Sequence, residues 1–237
     1  MLQPDDGYYY GLGVFETIRV KEIKGILLEE HLERLNVSLK TLNIDTVIIR
    51  EQVEDYIKRQ GLSDGVLKIC VSEKNINYST RAYNYTSEMY QNGYKVMVSP
   101  ILRNATSPLT YIKSLNYAEN CLAKQSAQKH HYDEALFINT KGFISEGSAS
   151  NIFFVSGDKI DTPSISCGLL PGIMRRLICV NEGVIEKEIS INQIEKYDGC
   201  FLTNSIMGIM KVTSIGDVVF KQEEVIARLQ KKYKEFY

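Results

Sequence analysis

Thr110-Tyr111-Ile112-Lys113-Ser114-Leu115-Asn116-Tyr117 is the stretch on which the reading of this chain turns. It follows a segment, Pro100 to Pro108, that also holds Asn104, Thr106 and Ser107, and it precedes a helical pattern from about Asn116 to His130. The segment's composition resists both helix and strand, so it marks a boundary between two parts of the chain. Lys113 lies at the junction, beside apolar and aromatic neighbours. Desolvation there would lower its pKa and make it a base or a Schiff-base amine. Local sequence leaves a solvated helix-start lysine open as the alternative.

Upstream, Val14 to Val20 alternates in part, with Val14, Glu16 and Ile18 in one phase and Phe15 in the other. Gly25 marks a turn. Leu32, Leu35, Leu39 and Leu42 fall at spacings of three, four and three, which predicts an amphipathic helix. Glu51 to Gln60 predicts a second helix, ended by Gly61. Val66–Val71 and Lys95–Val98 read as strands. Downstream come strands at Glu134–Asn139, Asn151–Val155 and Cys200–Thr203, a helix Ile173–Val180 launched by Pro171-Gly172, and a last helix near Glu223–Phe236. Helices and strands intermix, so the class is α/β (α+β) with two subdomains. The boundaries expected are 1–100 for a small N-terminal unit, 101–108 for the linker and 109–237 for a larger C-terminal unit.

Length and composition agree. At roughly 150 residues per domain, 237 residues allow one large domain or two small ones. The 28 Lys+Arg against 29 Asp+Glu leave a net charge of −1, with no basic excess to drive nucleic-acid binding. A hydrophobic fraction of 44% argues against disorder. Apolar runs such as Ala135–Ile138 and Ile152–Val155 are far shorter than the roughly 20 residues that span a bilayer, so no membrane is expected. Met1-Leu2-Gln3-Pro4-Asp5-Asp6 lacks the apolar core of a signal peptide. The five cysteines include no C-x-x-C pair and read as reduced thiols of a cytoplasmic protein. Three histidines offer no metal-ligand spacing, so no metal site is expected.

Three further stretches carry chemistry. Glu146 lies in Gly142-Phe143-Ile144-Ser145-Glu146-Gly147-Ser148-Ala149-Ser150-Asn151, among small residues that let a ligand or backbone approach. Gly168-Leu169-Leu170-Pro171-Gly172-Ile173-Met174-Arg175 runs from a glycine turn into a helix whose first N–H groups would suit an anion. Leu202-Thr203-Asn204-Ser205-Ile206-Met207-Gly208 ends a strand with a hydroxyl cluster. Each has an ordinary alternative: a solvated turn, a plain connection, a hairpin.

Taken together and in this order, these stretches resemble the fold-type IV pyridoxal-phosphate enzymes (class IV aminotransferases), a group holding branched-chain and D-amino-acid aminotransferases and 4-amino-4-deoxychorismate lyases. The resemblance opens with Tyr10-Gly11-Leu12-Gly13-Val14-Phe15-Glu16-Thr17, continues through His31-Leu32-Glu33-Arg34-Leu35 and is densest from Ser107 to Arg175. It implies a small N-terminal α/β sandwich and a larger C-terminal α/β pseudo-barrel that binds pyridoxal 5′-phosphate. It also implies Lys113 as the lysine that carries the cofactor and moves protons at the substrate carbon. By the same resemblance Glu146 pairs with the pyridine nitrogen, and Arg34 clamps the 5′-phosphate with backbone N–H groups of Ile173 and Met174. Ser205 and the Ile206 backbone add phosphate contacts, and Tyr117 stands near the ring hydroxyl. A homodimer acting on a small-molecule amino substrate is implied as well.

Two departures stand out. Only Met1 to Asp5 precede Asp6-Gly7-Tyr8, so the family's opening hairpin is expected to be absent or reduced, and methionine replaces a common threonine at Met174. Gly172-Ile173-Met174-Arg175 and Asn204-Ser205-Ile206-Met207 look like bacterial lyases, and the D-amino-acid enzymes' arginine-x-histidine motif is missing, Arg81-Ala82-Tyr83 being the nearest approach. The expected reaction is conversion of 4-amino-4-deoxychorismate to 4-aminobenzoate and pyruvate, a step of folate biosynthesis, with Lys113 as base and Thr17 as a pocket hydroxyl. The alternatives are an aminotransferase acting on branched-chain or D-amino acids, and a non-catalytic cofactor-binding relative. Arg81 and Arg103 stand as unranked candidates for the substrate carboxylate.

Overall fold

The computed structural model describes residues 2–237, and the chain divides into two compact units. The first runs to Asn84, takes in Ile112–Tyr117 and ends with Phe236–Tyr237; the second is Tyr85–Tyr111 with Ala118–Glu235.

The first unit contains α1 (Asp6–Tyr10), β1 (Gly13–Lys21), β2 (Lys24–Gly25), α2 (Leu28–Thr41), α3 (Arg50–Arg59), β3 (Asp64–Ser72) and β4 (Ile76–Arg81). Its antiparallel sheet has the order β2-β1-β3-β4. Period-two alternation sends Val14, Ile18 and Val20 of β1 and Leu67, Ile69 and Val71 of β3 to one face. There they pack with Leu28, Leu32, Leu35 and Leu39 of α2 and Val53 and Ile57 of α3. Each such side chain contributes about 1.5–3 kcal/mol by leaving water. The predicted helix matches α2, except that Leu42 falls just past its end.

The opposite face carries Phe15 and Thr17, directly across from Cys70 and Lys68. On β4 the matching positions are Asn77, Ser79 and Arg81, opposite Cys70, Lys68 and Val66. The two-residue β2 pairs only with the far end of β1, at Val20 and Lys21. Ile112–Tyr117 fills the edge that remains: Phe15 N donates to Lys113 O at 2.8 Å and Leu115 N to Gly13 O at 2.8 Å, with Ser114 opposite Val14. The Lys113 stretch therefore belongs to the first unit, whereas the sequence boundary assigned it to the second. Backbone pairing along an open strand edge, invisible in side-chain pattern, is the reason.

The second unit contains α4 (Ser87–Asn92), β5 (Tyr94–Val98), α5 (Ala118–Lys129), β6 (Glu134–Ile138), β7 (Ile144–Gly147) and β8 (Asn151–Ser156). It continues with β9 (Lys159–Pro163), α6 (Ile173–Asn181), β10 (Ile185–Lys187), β11 (Gly199–Asn204), β12 (Gly208–Ile215), β13 (Val218–Val219) and α7 (Glu224–Tyr233). The strands form a nine-stranded mixed sheet, order β10-β9-β8-β11-β12-β5-β6-β7, with β13 on β12. Tyr94–Val98 lies inside the expected small unit but pairs in parallel with both β12 and β6, so it belongs here. One core gathers Val96, Leu136, Ile152, Phe154, Leu202 and Met210; a second joins Ala123 and Ala127 of α5 to Ala135 and Phe137 of β6. Among the described residues no helix is long and apolar enough to cross a membrane, and no group of three or more His, Cys, Asp or Glu is placed to hold a metal.

Candidate active site

The residues singled out from the sequence fall in both units. Thr17, Arg34, Lys113 and Tyr117 lie in the first; Glu146, Ile173, Met174, Ser205 and Ile206 lie in the second.

In the first unit, antiparallel pairing puts Lys113 on the sheet face of Phe15 and Thr17, away from the helices. Lys113 Nζ stands 4.4 Å from the Phe15 ring centroid and 5.3 Å from that of Tyr117. The two rings meet edge to face at 5.1 Å. Aromatic faces attract an ammonium, and these two rings flank the Lys113 amine. Lys68, which sequence reading passed over, brings a second ammonium to the same ring, 4.6 Å from its centroid. Its signal is the phase of β3: Leu67, Ile69 and Val71 are buried, while Lys68 is exposed on the face it shares with Thr17. Arg81 lies on this face too.

Behind the sheet, on the helix side, the alternation is broken by Glu16, a fully buried carboxylate. Arg34 Nε donates to Glu16 Oε1 at 2.7 Å and Arg34 Nη2 to Oε2 at 2.8 Å. His31 Nδ1 lies 2.7 Å from Oε2; an ionised carboxylate only accepts, so Nδ1 carries the proton. Burial works to raise the Glu16 pKa, but the Arg34 and His31 partners outweigh it and hold the carboxyl well below the usual range. Burial likewise pushes His31 below its ordinary value, against the pull of Glu16. The predicted phosphate arginine thus has one edge of its guanidinium engaged by Glu16.

In the second unit, Glu146 stands on β7 and is buried. Its Oε2 accepts from Leu170 N at 2.9 Å, and its Oε1 lies 3.4 Å from Arg103 Nη2. Arg103 is itself buried, with its guanidinium 3.9 Å over the Phe137 ring, near Asn120 and Glu119. It neighbours Glu146, whereas Arg81, the other carboxylate candidate, is exposed.

The helix α6 begins after Gly172, and its first internal bond is Arg176 N to Gly172 O at 2.9 Å. The amides of Ile173 and Met174 therefore precede the intrahelical ladder, at the positive end of the helix dipole. Both side chains are buried, so their backbone is what they offer. Gly172 has φ −68°, open to any residue, yet a Cβ there would come within 2.0 Å of Asn151 Oδ1. The close approach is built into this turn. Ser205 opens the tight turn between β11 and β12. The Ile206 amide, expected to face a phosphate, donates instead to Asn204 Oδ1 at 2.9 Å, and Met207 N joins it at 2.7 Å. An asparagine two residues ahead of a turn competes for backbone donors in this way.

Each unit by itself offers groups of the kind pyridoxal 5′-phosphate would need: the first an amine beside two rings and an arginine, the second a buried carboxylate and the amides at a helix start.

Comparison with known proteins agrees. Residues 13–215 match the model of the family described as amino-transferase class IV. Aminodeoxychorismate lyase of Bacillus subtilis is 30% identical, over 98% of this chain and 87% of its own. The crystal structure of 4-amino-4-deoxychorismate lyase from Pseudomonas aeruginosa superposes with a TM-score of 0.87 at 24% identity, covering 99% of this chain and 94% of that one. Branched-chain amino acid aminotransferase of Escherichia coli superposes at 0.86 with 23% identity, covering 97% and 87%. The mixed α/β architecture is theirs.

Proposed function

This chain belongs to the amino-transferase class IV family, an enzyme family dependent on pyridoxal phosphate, and on that premise we propose that it is a lyase converting 4-amino-4-deoxychorismate to 4-aminobenzoate and pyruvate. The observation that carries the choice of reaction is the basic sheet face of the first unit. Lys113 and Lys68 flank Phe15, Thr17 lies directly opposite Lys68, and Arg81 continues the face. The lyase substrate bears two carboxylates, whereas a branched-chain amino acid bears one. A face with cations beyond the catalytic amine suits the dianion, since a charge-assisted hydrogen bond is about twice as strong as a neutral one.

Pyridoxal 5′-phosphate, when bound, supplies an electron sink for negative charge at the substrate carbon. Lys113 would be the residue that holds it, and its amine is the base: Nζ takes the proton from the substrate ring carbon as the ring C–O bond to the enolpyruvyl group breaks, the departing enolate gains a proton to become pyruvate, and the ring is left aromatic. The Thr17 hydroxyl, opposite Lys68 on the same sheet face, orients the substrate. Glu146, beside Arg103, is the carboxylate that would accept the pyridine N–H. Arg34 of the first unit, and the Ile173 and Met174 amides with Ser205 of the second, are the groups that would hold the phosphate. Tyr117 would orient the ring hydroxyl, while the Ile206 amide is taken by Asn204 Oδ1. The reading includes a second copy of the chain, as a homodimer, and a cytoplasmic setting, which the free thiols support.

The test is Lys68→Met. It should raise KM for 4-amino-4-deoxychorismate roughly 10-fold, as loss of one charged hydrogen bond predicts, with kcat little changed. An unchanged KM, or an equal loss with a monocarboxylate amino acid, would remove the support for the lyase and leave the aminotransferase reading.

A further inference from the structure

The approach to α6 is held by a row of side chains from the neighbouring strands. Asn139 Nδ2 donates to Cys167 O at 3.0 Å, and Ser145 Oγ donates to Gly168 O. Glu146 Oε2 then accepts from Leu170 N, and Asn151 Nδ2 donates to Leu170 O at 2.9 Å. The Leu170 residue is thus gripped at both its N–H and its C=O. Its two anchors differ in kind. Glu146 is the carboxylate assigned to the pyridine nitrogen, while Asn151 has no part in the chemistry described so far.

Asn151 also acts two residues further on. A Cβ on Gly172 would lie 2.0 Å from Asn151 Oδ1 and 3.2 Å from its Cγ. Because Gly172 has an ordinary φ of −68°, backbone conformation does not require glycine there; the asparagine does. One buried side chain therefore fixes a carbonyl with its amide nitrogen and sets the closest approach of the next turn with its amide oxygen. Asn151 sits on β8 opposite Thr203 of β11, inside the nine-stranded sheet, so its own position is set by ladder bonds and not by a loop.

We propose that Asn151 is a positioning residue for the cofactor phosphate: it fixes the Leu170–Gly172 backbone so that the Ile173 and Met174 amides stand ready at the start of α6. The inference rests on the reading of α6 as the phosphate site. Preorganised donors bind an anion without the cost of being ordered at that moment.

The experiment measures binding of pyridoxal 5′-phosphate and of pyridoxal, which lacks the phosphate, to the cofactor-free chain, by absorbance and equilibrium dialysis. The ratio of the two affinities reports the phosphate contacts alone. Asn151→Ala should lower affinity for pyridoxal 5′-phosphate by roughly 10–100-fold, the scale of a lost buried hydrogen bond with its displaced backbone, and change pyridoxal by less than about 3-fold. Gly172→Ala should lower the ratio at least as far, because its methyl meets Asn151. Asn151→Ala combined with Gly172→Ala should bind like Asn151→Ala alone, since the clash is gone; such non-additivity is the signature of direct contact. A ratio unchanged in Asn151→Ala, or a double variant worse than either single one, overturns the proposal. If Asn151→Ala does not fold, Gly172→Ala decides alone, and wild-type-like phosphate preference in it overturns the steric coupling. A wild-type chain that prefers neither ligand would show instead that α6 is not the phosphate site.

Discussion

Glu16→Ala is the substitution whose consequence the structure sizes most fully. The carboxylate is fully buried and makes three close contacts, two with Arg34 and one with His31. Alanine removes that carboxylate from beside a largely buried guanidinium and a buried imidazole. Breaking one partner out of a buried ion pair costs about 3–5 kcal/mol. For a chain of this length, about 2–4 °C per kcal/mol converts that to a fall of roughly 6–20 °C in the unfolding midpoint. The assay is calorimetry on the cofactor-free chain, with urea unfolding as a check. Glu16→Leu combined with Arg34→Met should recover much of the loss, because an apolar pair avoids the desolvation of both charges. The pH dependence follows from the same cluster. Both Glu16 and His31 have folded pKa values below their ordinary ones, so in each case the unfolded chain binds the proton more readily. Stability therefore declines as pH falls below about 6.5, where unfolded histidine begins to charge, and again below about 4.5, where unfolded glutamate does. A Glu16→Ala midpoint within about 2 °C of wild type, or stability that rises between pH 7 and pH 5 on acidification, would refute the account of this cluster.

Two other substitutions test separate parts of the structure. Lys113→Ala should abolish both turnover and the borohydride-sensitive absorbance near roughly 410–420 nm expected of a lysine-bound cofactor; retention of either contradicts its assignment. Gly168→Ala places a side chain at φ +84° and within 2.8 Å of Ala105 Cα, so it should destabilise by more than the roughly 1–2 kcal/mol of the left-handed conformation alone, measured by urea unfolding.

Much of the fold was legible where periodicity was strong. The leucines of α2 and the apolar runs of β6 and β8 mark their elements, because one face of each is buried in a core. β4, Ile-Asn-Tyr-Ser-Thr-Arg, has no buried residue and so no alternation to read; its strand is defined by pairing with β3 alone. The same cause hid the home of Lys113, whose segment joins the first unit through backbone bonds to β1. At the candidate site the order of Lys113, Glu146 and the Gly172 turn carried the family. Glu16 and Lys68 escaped, although both stood in plain phase: one is a charge among core-facing valines and isoleucines, the other a charge alternating with buried ones. Asn151 escaped because its signal is the absence of a methyl group on Gly172.

The central claim concerns the reaction, and product analysis without an acceptor tests it most directly. The purified chain, loaded with pyridoxal 5′-phosphate and given 4-amino-4-deoxychorismate but no keto acid, should release pyruvate and 4-aminobenzoate in equal amounts over many turnovers. Failure to release pyruvate, together with sustained keto-acid formation from branched-chain or D-amino acids once an acceptor is added, would contradict it.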